Sequence, residues 1–527
     1  MPKDIAPRPW LRWLTTFCLL VILLASLWLN LRGHDFPLGL HVDERTKVGD
    51  IMMSTPTFKH PLLILKSATT LAALTDASLP QEIVESGRIT TAIFGALLCA
   101  FTFALARTFL SPILALLATA LTAAAPGVVV HSHYLKEDIA MTCFMVASLL
   151  FGTLRMRQLL ASLPTDASGG GSPRRFQGAL ILGLWGICLG LSLSTKYTAL
   201  LLVFYFCLIP WFDRELPKRL YFRELMLVFV VSIVIFLLIN HEMFSNFSSF
   251  TSGVEHEADH VISGHGDGIR LYPWLTFFTF HLNRSILPSF GILPTGLAVF
   301  GLILATFPRR GTDSRVPRWL AIFTILYYLV IEVAPLKPFP GYARYVVPLI
   351  PLLACLAAYA LGAILVLVRS LALRNSVTLV VSVLLVAPLL LSSFTLTALF
   401  NGDSRLQLLP ELIAQSKHPV AVERGYAGVE FLSDKQRESI QVIDSVGALK
   451  LDGEDRSACT VITSSFNYDR YLYAGGLAMQ AQGVYALRDM YRTLFKYPHE
   501  DFPSGQEPFS FVNPTLRVTH LCGKSTP

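Results

Sequence analysis

The chain has 527 residues, of which 53% are hydrophobic and only 15% charged. That balance excludes an ordinary soluble domain and a disordered chain. The formal net charge of +7 is scattered over short turns and forms no continuous basic stripe, so nucleic acid is not an expected partner.

Apolar runs long enough to cross a bilayer recur through roughly the first 400 residues. About eleven spans are expected, near 11–31, 89–109, 112–130, 137–154, 177–194, 197–213, 224–242, 291–307, 319–336, 346–368 and 377–400, with ends uncertain by about three residues. The first follows basic residues and has no small-residue cleavage site, so it reads as a retained span. With the N-terminus in the cytoplasm, the basic turns at 107, 155–175, 214–223, 309–318 and 369–374 fall on the cytoplasmic side. The acids and histidines then gather on the external side.

Residues 32–87 form a first external loop. Residues 38–53 and 61–74 have helical apolar spacing, which predicts two short helices along the membrane surface. A Gly- and Ser-rich stretch at 165–173 reads as a linker. A second external loop, 243–290, is rich in His and acid. After residue 400 the composition changes. Strands are expected at 420–423, 440–444, 459–464 and 516–520, and helices at 406–415, 427–435 and 488–495. The fold class is therefore mainly α, a polytopic membrane protein with a transmembrane module over 1–400 and a small soluble α/β domain over 401–527. Cys459 and Cys522 lie in that last domain, where a disulfide is one possibility. The other six cysteines lie in spans and read as apolar packing.

Four clusters of chemically capable residues fall on the expected external face. Asp43-Glu44 follows the first span, with Lys47 four residues on from Asp43, on the same helix face. Acids beside a bilayer are costly unless paired or used. Lys59-His60-Pro61 fits a helix start with Pro61 at its first position, where the helix dipole would help hold a phosphate. His131-Ser132-His133-Tyr134-Leu135-Lys136-Glu137-Asp138 spans a turn, with Asp138 at the head of the next span. Lys337, Arg344 and Tyr345 lie in a proline-rich turn. Most other external turns avoid cations, so Lys337 and Arg344 are candidates for holding an anion. An ordinary loop, helix caps and snorkelling anchors are the plainer readings of these features. His241, Glu242, His256 and His260 are metal-capable, but no HExxH or CxxC spacing organises them, and metal binding is a weak signal.

Together these residues resemble the GT-C membrane glycosyltransferases of the protein O-mannosyltransferase and aminoarabinose transferase kind. The resemblance covers residues 1–400. Its elements are Asp43-Glu44 in the first external loop, His60-Pro61, Asp138 at the second external turn, Thr195-Lys196 after the fifth span, and the run Lys337, Arg344, Tyr345, Pro348. It implies a GT-C fold and transfer, with inversion, of a sugar from a polyprenyl-phosphate carrier to an acceptor hydroxyl at the external face. The acceptor is a glycan, lipid or protein. By carry-over, Asp43 is the general base, and Glu44 and Asp138 orient acceptor, cations or base. Lys337 and Arg344 hold the donor phosphate, with His60, Lys59 and Lys196 behind them. Tyr345, His131 and His133 position donor or acceptor. Such a base takes the proton of the attacking hydroxyl, and the cations stabilise charge on the leaving phosphate. The relatives' Glu-Lys-Pro is here Lys59-His60-Pro61, so the resemblance does not support a metal. No further cofactor is implied beyond the lipid-linked donor and the surrounding membrane lipids. The expected location is the inner membrane, with the C-terminal domain in the periplasm.

A lipid or solute transporter is the rival. Transporters carry polar residues along a mid-bilayer path and often show repeats. Here the mid-span regions are nearly free of charge, and no repeat is found. A reading in which the C-terminal domain acts and the spans only anchor it needs far fewer spans than these.

Overall fold

Within a bilayer each backbone N–H and C=O must find its partner inside the chain, so long apolar runs fold as helices. The computed structural model describes residues 9–161, 172–263, 273–307, 314–334, 343–368, 370–416, 419–424, 427–449, 458–472, 482–502, 509 and 512–522. The N-terminal part begins with α1 (Pro9–Leu31), α2 (Val42–Met53), α3 (Leu63–Leu74), α4 (Pro80–Arg107), α5 (Pro112–Ala124), α6 (Pro126–Ser132) and α7 (Glu137–Ala161).

Eight described helices are long and apolar enough to cross a membrane, or up to ten if two bent pairs each count as one. The chain is a multi-pass membrane protein, and the expected count of about eleven is not reached by this measure. The shortfall has a local cause. Tyr197–Phe212 is a shorter apolar helix that opens with a 3-10 turn, Tyr197–Ala199, and carries Pro210 near its end. The bent pairs also have causes in the sequence. Pro126 opens α6 just after α5, and the two helices diverge by 54°. The pair Leu282–Phe290 and Ile292–Thr306 is bent by 111° around Gly291, whose φ of +78° suits only glycine without strain.

The most buried spans are α7 and Ala343–Leu365. They form the middle of the bundle. Leu149, Trp185, Phe206, Phe323 and Leu361 belong to one continuous apolar core there. α7 and Ala343–Leu365 both start at the same end of the bundle, and the first turns of each carry charged side chains.

The two surface helices of the first loop form, with shifted starts. α2 begins at Val42, because His41 takes an extended conformation and caps it: its Nδ1 accepts from the Asp43 N–H at 3.3 Å. α3 begins at Leu63, so Pro61 lies before the helix. The N–H of Leu63 donates to Ser194 O at 3.0 Å, and that of Leu62 to Asn240 Oδ1 at 2.8 Å. These donors are used by the protein itself. Neither donor is therefore left for an anion beside Lys59 and His60.

The C-terminal part holds a sheet of β1 (Val420–Glu423), β2 (Ile440–Ile443), β3 (Thr460–Ser464), β4 (His499–Phe502) and β5 (Leu516–His520), in the order β2-β1-β3-β5-β4. β1 is parallel to β2 and β3; β5 is antiparallel to β3 and β4. One face packs on Tyr468, Tyr471 and Tyr491, the other on Leu409 and Ile413 of the helix Ser404–Gln415. The helix expected at 427–435 is replaced by two pieces. Gly428 sits at φ +90° before a 3-10 turn, and Ser433 then caps a separate helix, Asp434–Glu438. The strand β4 went unread because His499, Glu500 and Asp501 are exposed on it and show no apolar alternation.

Cys459 and Cys522 are joined by a disulfide across 63 residues. Closing a loop of that length restricts the unfolded chain. Replacing both cysteines by serine should lower the stability of the C-terminal part by about 3–4 kcal/mol. Thermal melts of the two forms in detergent measure this, and equal melting would show that the bridge contributes nothing.

Candidate active site

The N-terminal turn of α2 projects two neighbouring carboxylates in different directions, as a rotation of about 100° per residue requires. Glu44 turns inward and is fully buried. It accepts two hydrogen bonds from Arg88 of α4, Nε to Oε1 at 3.0 Å and Nη2 to Oε2 at 2.6 Å. The Leu135 N–H donates to Glu44 Oε1 at 2.9 Å. Arg88 also donates to the carbonyls of His34 and Phe36, and its guanidinium lies 3.4 Å from the Phe36 ring centroid. This cluster fixes α2 to α4 and to the 131–138 turn.

Asp43 turns the other way, and its side chain is 41% exposed. It pairs with Lys136 and, at 3.4 Å, with Nη1 of Arg344. Burial pushes the Asp43 carboxyl up, but the charges of Lys136, His41 and Arg344 outweigh it and hold the group well below the usual carboxylate range.

Beside it Lys196 Nζ donates to Asp138 Oδ1 at 2.6 Å. Asp138 is buried at the head of α7, with Lys136 and Arg344 among the charges acting on it. Lys47, one turn along α2 from Asp43, pairs with Glu137, and His60 Nε2 approaches the same carboxylate at 3.8 Å. Phe58 has a left-handed φ of +49° and its carbonyl accepts from the Tyr197 hydroxyl at 3.1 Å. This turn brings His60 back under Glu137. Burial, followed by the charge of Lys136, pulls Lys47 down to about 7. The Tyr345 ring lies 6.0 Å from Lys196 Nζ and 5.4 Å from the Arg344 guanidinium, within cation–π range.

Several buried polar atoms in this cluster have no hydrogen-bond partner among the described residues: both ring nitrogens of His131, the Tyr134 hydroxyl, Asp138 Oδ2, Glu137 Oε2 and His60 Nδ1. Buried polar groups are ordinarily satisfied. Their concentration around one turn suits a polar, hydroxyl-bearing ligand. The cations beside them suit an anionic group on the same ligand.

The structure thus brings together Asp43, Glu44, His60, His131, Asp138, Lys196, Arg344 and Tyr345. Lys59 is exposed. His133 goes elsewhere: its ring nitrogens lie 2.8 Å from the Val129 carbonyl and 3.0 Å from the Arg32 carbonyl, and it stacks on Phe400. Lys337 lies outside the described residues. Of the metal candidates, Glu242 is held by Lys66 at 2.8 Å and His241 Nδ1 lies 3.3 Å from the same amine. His256 is exposed on the helix Phe247–Ser263, and the side chain of His260 is outside the described part. No group of three or more His, Cys, Asp or Glu close enough to hold a metal ion occurs among the described residues. Glu332 is buried and accepts from the His281 N–H at 2.7 Å and the Tyr328 hydroxyl at 2.9 Å.

The sequence profile of the family described as dolichyl-phosphate-mannose-protein mannosyltransferase matches residues 77–248, from just before α4 to the start of the helix Phe247–Ser263. Among solved structures, the oligosaccharyltransferase AglB of Archaeoglobus fulgidus, in complex with an inhibitory peptide and a dolichol-phosphate, is similar at 13% identity and a TM-score of 0.55. The match covers 95% of this chain and 75% of that one. The apo form of the A. fulgidus enzyme gives 12% identity and a TM-score of 0.53, over 94% and 80% of the two chains. The chain has the GT-C fold, and over residues 77–248 its sequence is similar to that mannosyltransferase family. ArnT from Cupriavidus metallidurans, bound to undecaprenyl phosphate, aligns over 99% of this chain and 100% of its own at 13% identity and a TM-score of 0.48. No curated protein sequence matches.

Lys47, Arg88, Lys136 and Glu137 are the members of this cluster that sequence reasoning did not assign. Their partners lie 44 to 93 residues away. The one local signal was a lysine and a glutamate next to Asp138, both costly at the edge of a span unless paired.

Glu44→Ala leaves Arg88 buried without its carboxylate and should cost about 3–5 kcal/mol, read as a lowered melting temperature in detergent; an unchanged melt would refute the anchoring role. Lys47 loses its proton as pH rises through about 7, releasing Glu137. Any turnover that depends on this ion pair should therefore decline on the alkaline side of that pH. Lys47→Arg keeps its charge and should move the decline upward by about a unit or more, in a pH profile of kcat/KM. A profile identical to the wild type would refute it.

Proposed function

We propose that this protein transfers a sugar, with inversion, from a polyprenyl-phosphate carrier to an acceptor hydroxyl on the external face of the membrane, with Asp43 as general base. The observation that carries the reading is the placement of Asp43: partly open, between Lys136 and Arg344, beside the Asp138–Lys196 pair at one end of the bundle. GT-C relatives draw on polyprenyl-phosphate-linked donors. The lipid tail would lie along the apolar spans with its phosphate at this end.

The acceptor oxygen attacks the anomeric carbon opposite the phosphate. A new C–O bond forms, the bond from carbon to the phosphate oxygen breaks, and the carrier leaves as polyprenyl phosphate. The acceptor proton goes to Asp43. Lys136, Arg344 and Lys196 receive the charge that develops on the leaving oxygens, and Lys337 is a candidate for the same role on the sequence alone. Lys136 and Arg344 hold the unliganded Asp43 too acidic to be a good base. A donor phosphate that draws them away would raise its proton affinity toward the working range. Glu44 fixes the helix that carries the base, and Asp138 holds Lys196. Tyr345 and His131 would bound the sugar or acceptor.

The module 1–400 is read as catalytic and 401–527 as an external domain. The Cys459–Cys522 bridge supports an oxidising compartment for that domain, which with basic turns at the opposite end fits the inner membrane with a cytoplasmic N-terminus. The acceptor is the hydroxyl of a glycan, lipid or protein.

Purified protein and a panel of polyprenyl-phosphate sugars test the reading. Asp43→Asn should lower transfer by about 10²–10⁴-fold, the range of general-base catalysis, with the protein still folded and inserted in the membrane. Full transfer by that variant would sink the base assignment.

A further inference from the structure

The helix Ser404–Gln415 starts with a buried ion pair. Asp403 is its N-cap and accepts from the Arg405 N–H at 2.9 Å. The Arg405 guanidinium grips the same carboxylate twice, Nε to Oδ1 at 2.8 Å and Nη2 to Oδ2 at 2.6 Å. Its remaining arm, Nη1, leaves this part of the chain and donates to the carbonyl of Leu40 at 3.2 Å. Leu40 precedes His41, the cap of α2, and Asp43 lies in the first turn of that helix. Both Asp403 and Arg405 are almost wholly buried.

The surroundings are built for this contact. Phe36 and Leu40 share an apolar cluster with Tyr134, Phe400, Phe509 and Val512, and Phe36 stacks on Phe400 with centroids 4.9 Å apart. Gly428, at φ +90°, lies so close that an added Cβ would stand 2.7 Å from Arg405 Cβ. Farther out, Arg45 of α2 meets Glu430 at 3.6 Å. A buried ion pair is no more stabilising than apolar residues of the same shape. Its geometry is what apolar residues do not reproduce, and the third arm of Arg405 directs that geometry at the start of α2.

We propose that Arg405 is a positioning residue for sugar transfer. By holding the Leu40 carbonyl it fixes the first turn of α2, so that Asp43 meets Lys136 and Arg344 in register. The C-terminal part thereby takes part in turnover without touching the reacting atoms. The inference rests on the reading of Asp43 as the base.

The test uses the full chain in detergent or nanodiscs and two variants. Arg405→Lys keeps the charge but not the three-armed geometry. The double variant Asp403→Leu with Arg405→Met removes both charges and leaves neither buried alone. In each, amide hydrogen exchange over residues 41–47 should quicken by about tenfold or more, while exchange in β1–β5 stays at the wild-type rate. kcat should fall by about 10–100-fold with KM for the polyprenyl-phosphate donor within about twofold, because misplacement of about 1 Å is enough for such a loss. Unchanged exchange over 41–47, or equal quickening across the C-terminal sheet, would overturn the proposal, the second by showing a merely structural role. If exchange quickens as expected while Asp43→Asn retains full transfer, the mechanical link stands and the base assignment falls.

Discussion

The Glu44–Arg88 ion pair is the interaction on which the site depends. Both side chains are wholly buried, and together they join α2, α4, the loop carbonyls of His34 and Phe36, and the N–H of Leu135. A short helix of twelve residues has little stability of its own. Fixed through Glu44, it becomes a rigid mount. The neighbouring Asp43 is then presented to the opposite cluster without having to supply any of the anchoring itself. Two adjacent acids thus divide the labour between fold and chemistry.

The second constraint is the low dielectric at the end of the bundle. Charges there are expensive unless paired, and each lysine of the site pairs with a carboxylate from another part of the chain: Lys136 with Asp43, Lys196 with Asp138, Lys47 with Glu137. α7 is the hub. Its first turn carries Glu137 and Asp138, and Lys136 immediately precedes it. Because α7 is also among the most buried spans, the turn has little freedom to shift when a ligand arrives. The bend between α5 and α6 brings His131 to the same place.

The membrane fold was legible because apolar runs and basic turns are local signals. Most strands of the C-terminal sheet were legible for the same reason, whereas the charged edge strand β4 carries no such pattern. The helix expected at 427–435 failed where Gly428 and Ser433 each impose a boundary that apolar spacing does not reveal. In the site, Asp43, His60, Asp138, Lys196 and Arg344 stood out as polar residues at the ends of apolar runs, and the structure gathers them. Arg88 did not stand out, because an arginine at the edge of a span reads as an anchor, and its partner Glu44 is 44 residues away. His133 stood out but is spent on the carbonyls of Val129 and Arg32. Its type suggested chemistry, while its position at the end of α6 decided its use. Arg405 lay in a part of the chain with no recognisable chemistry, and only the folded contact with Leu40 links it to the site.

The ion-pair network has a sum as well as a set of contacts. Lys47, Lys136, Lys196 and Arg344 face Asp43, Glu137 and Asp138. Below the pH at which Lys47 discharges, these seven groups carry one positive charge more than negative. A phosphodiester donor carries one negative charge, so site and proposed donor together come to neutrality. Inside a medium that penalises net charge, the charges of these described residues would favour a ligand with a single negative charge. A neutral lipid leaves the surplus uncompensated, and a diphosphate overshoots it.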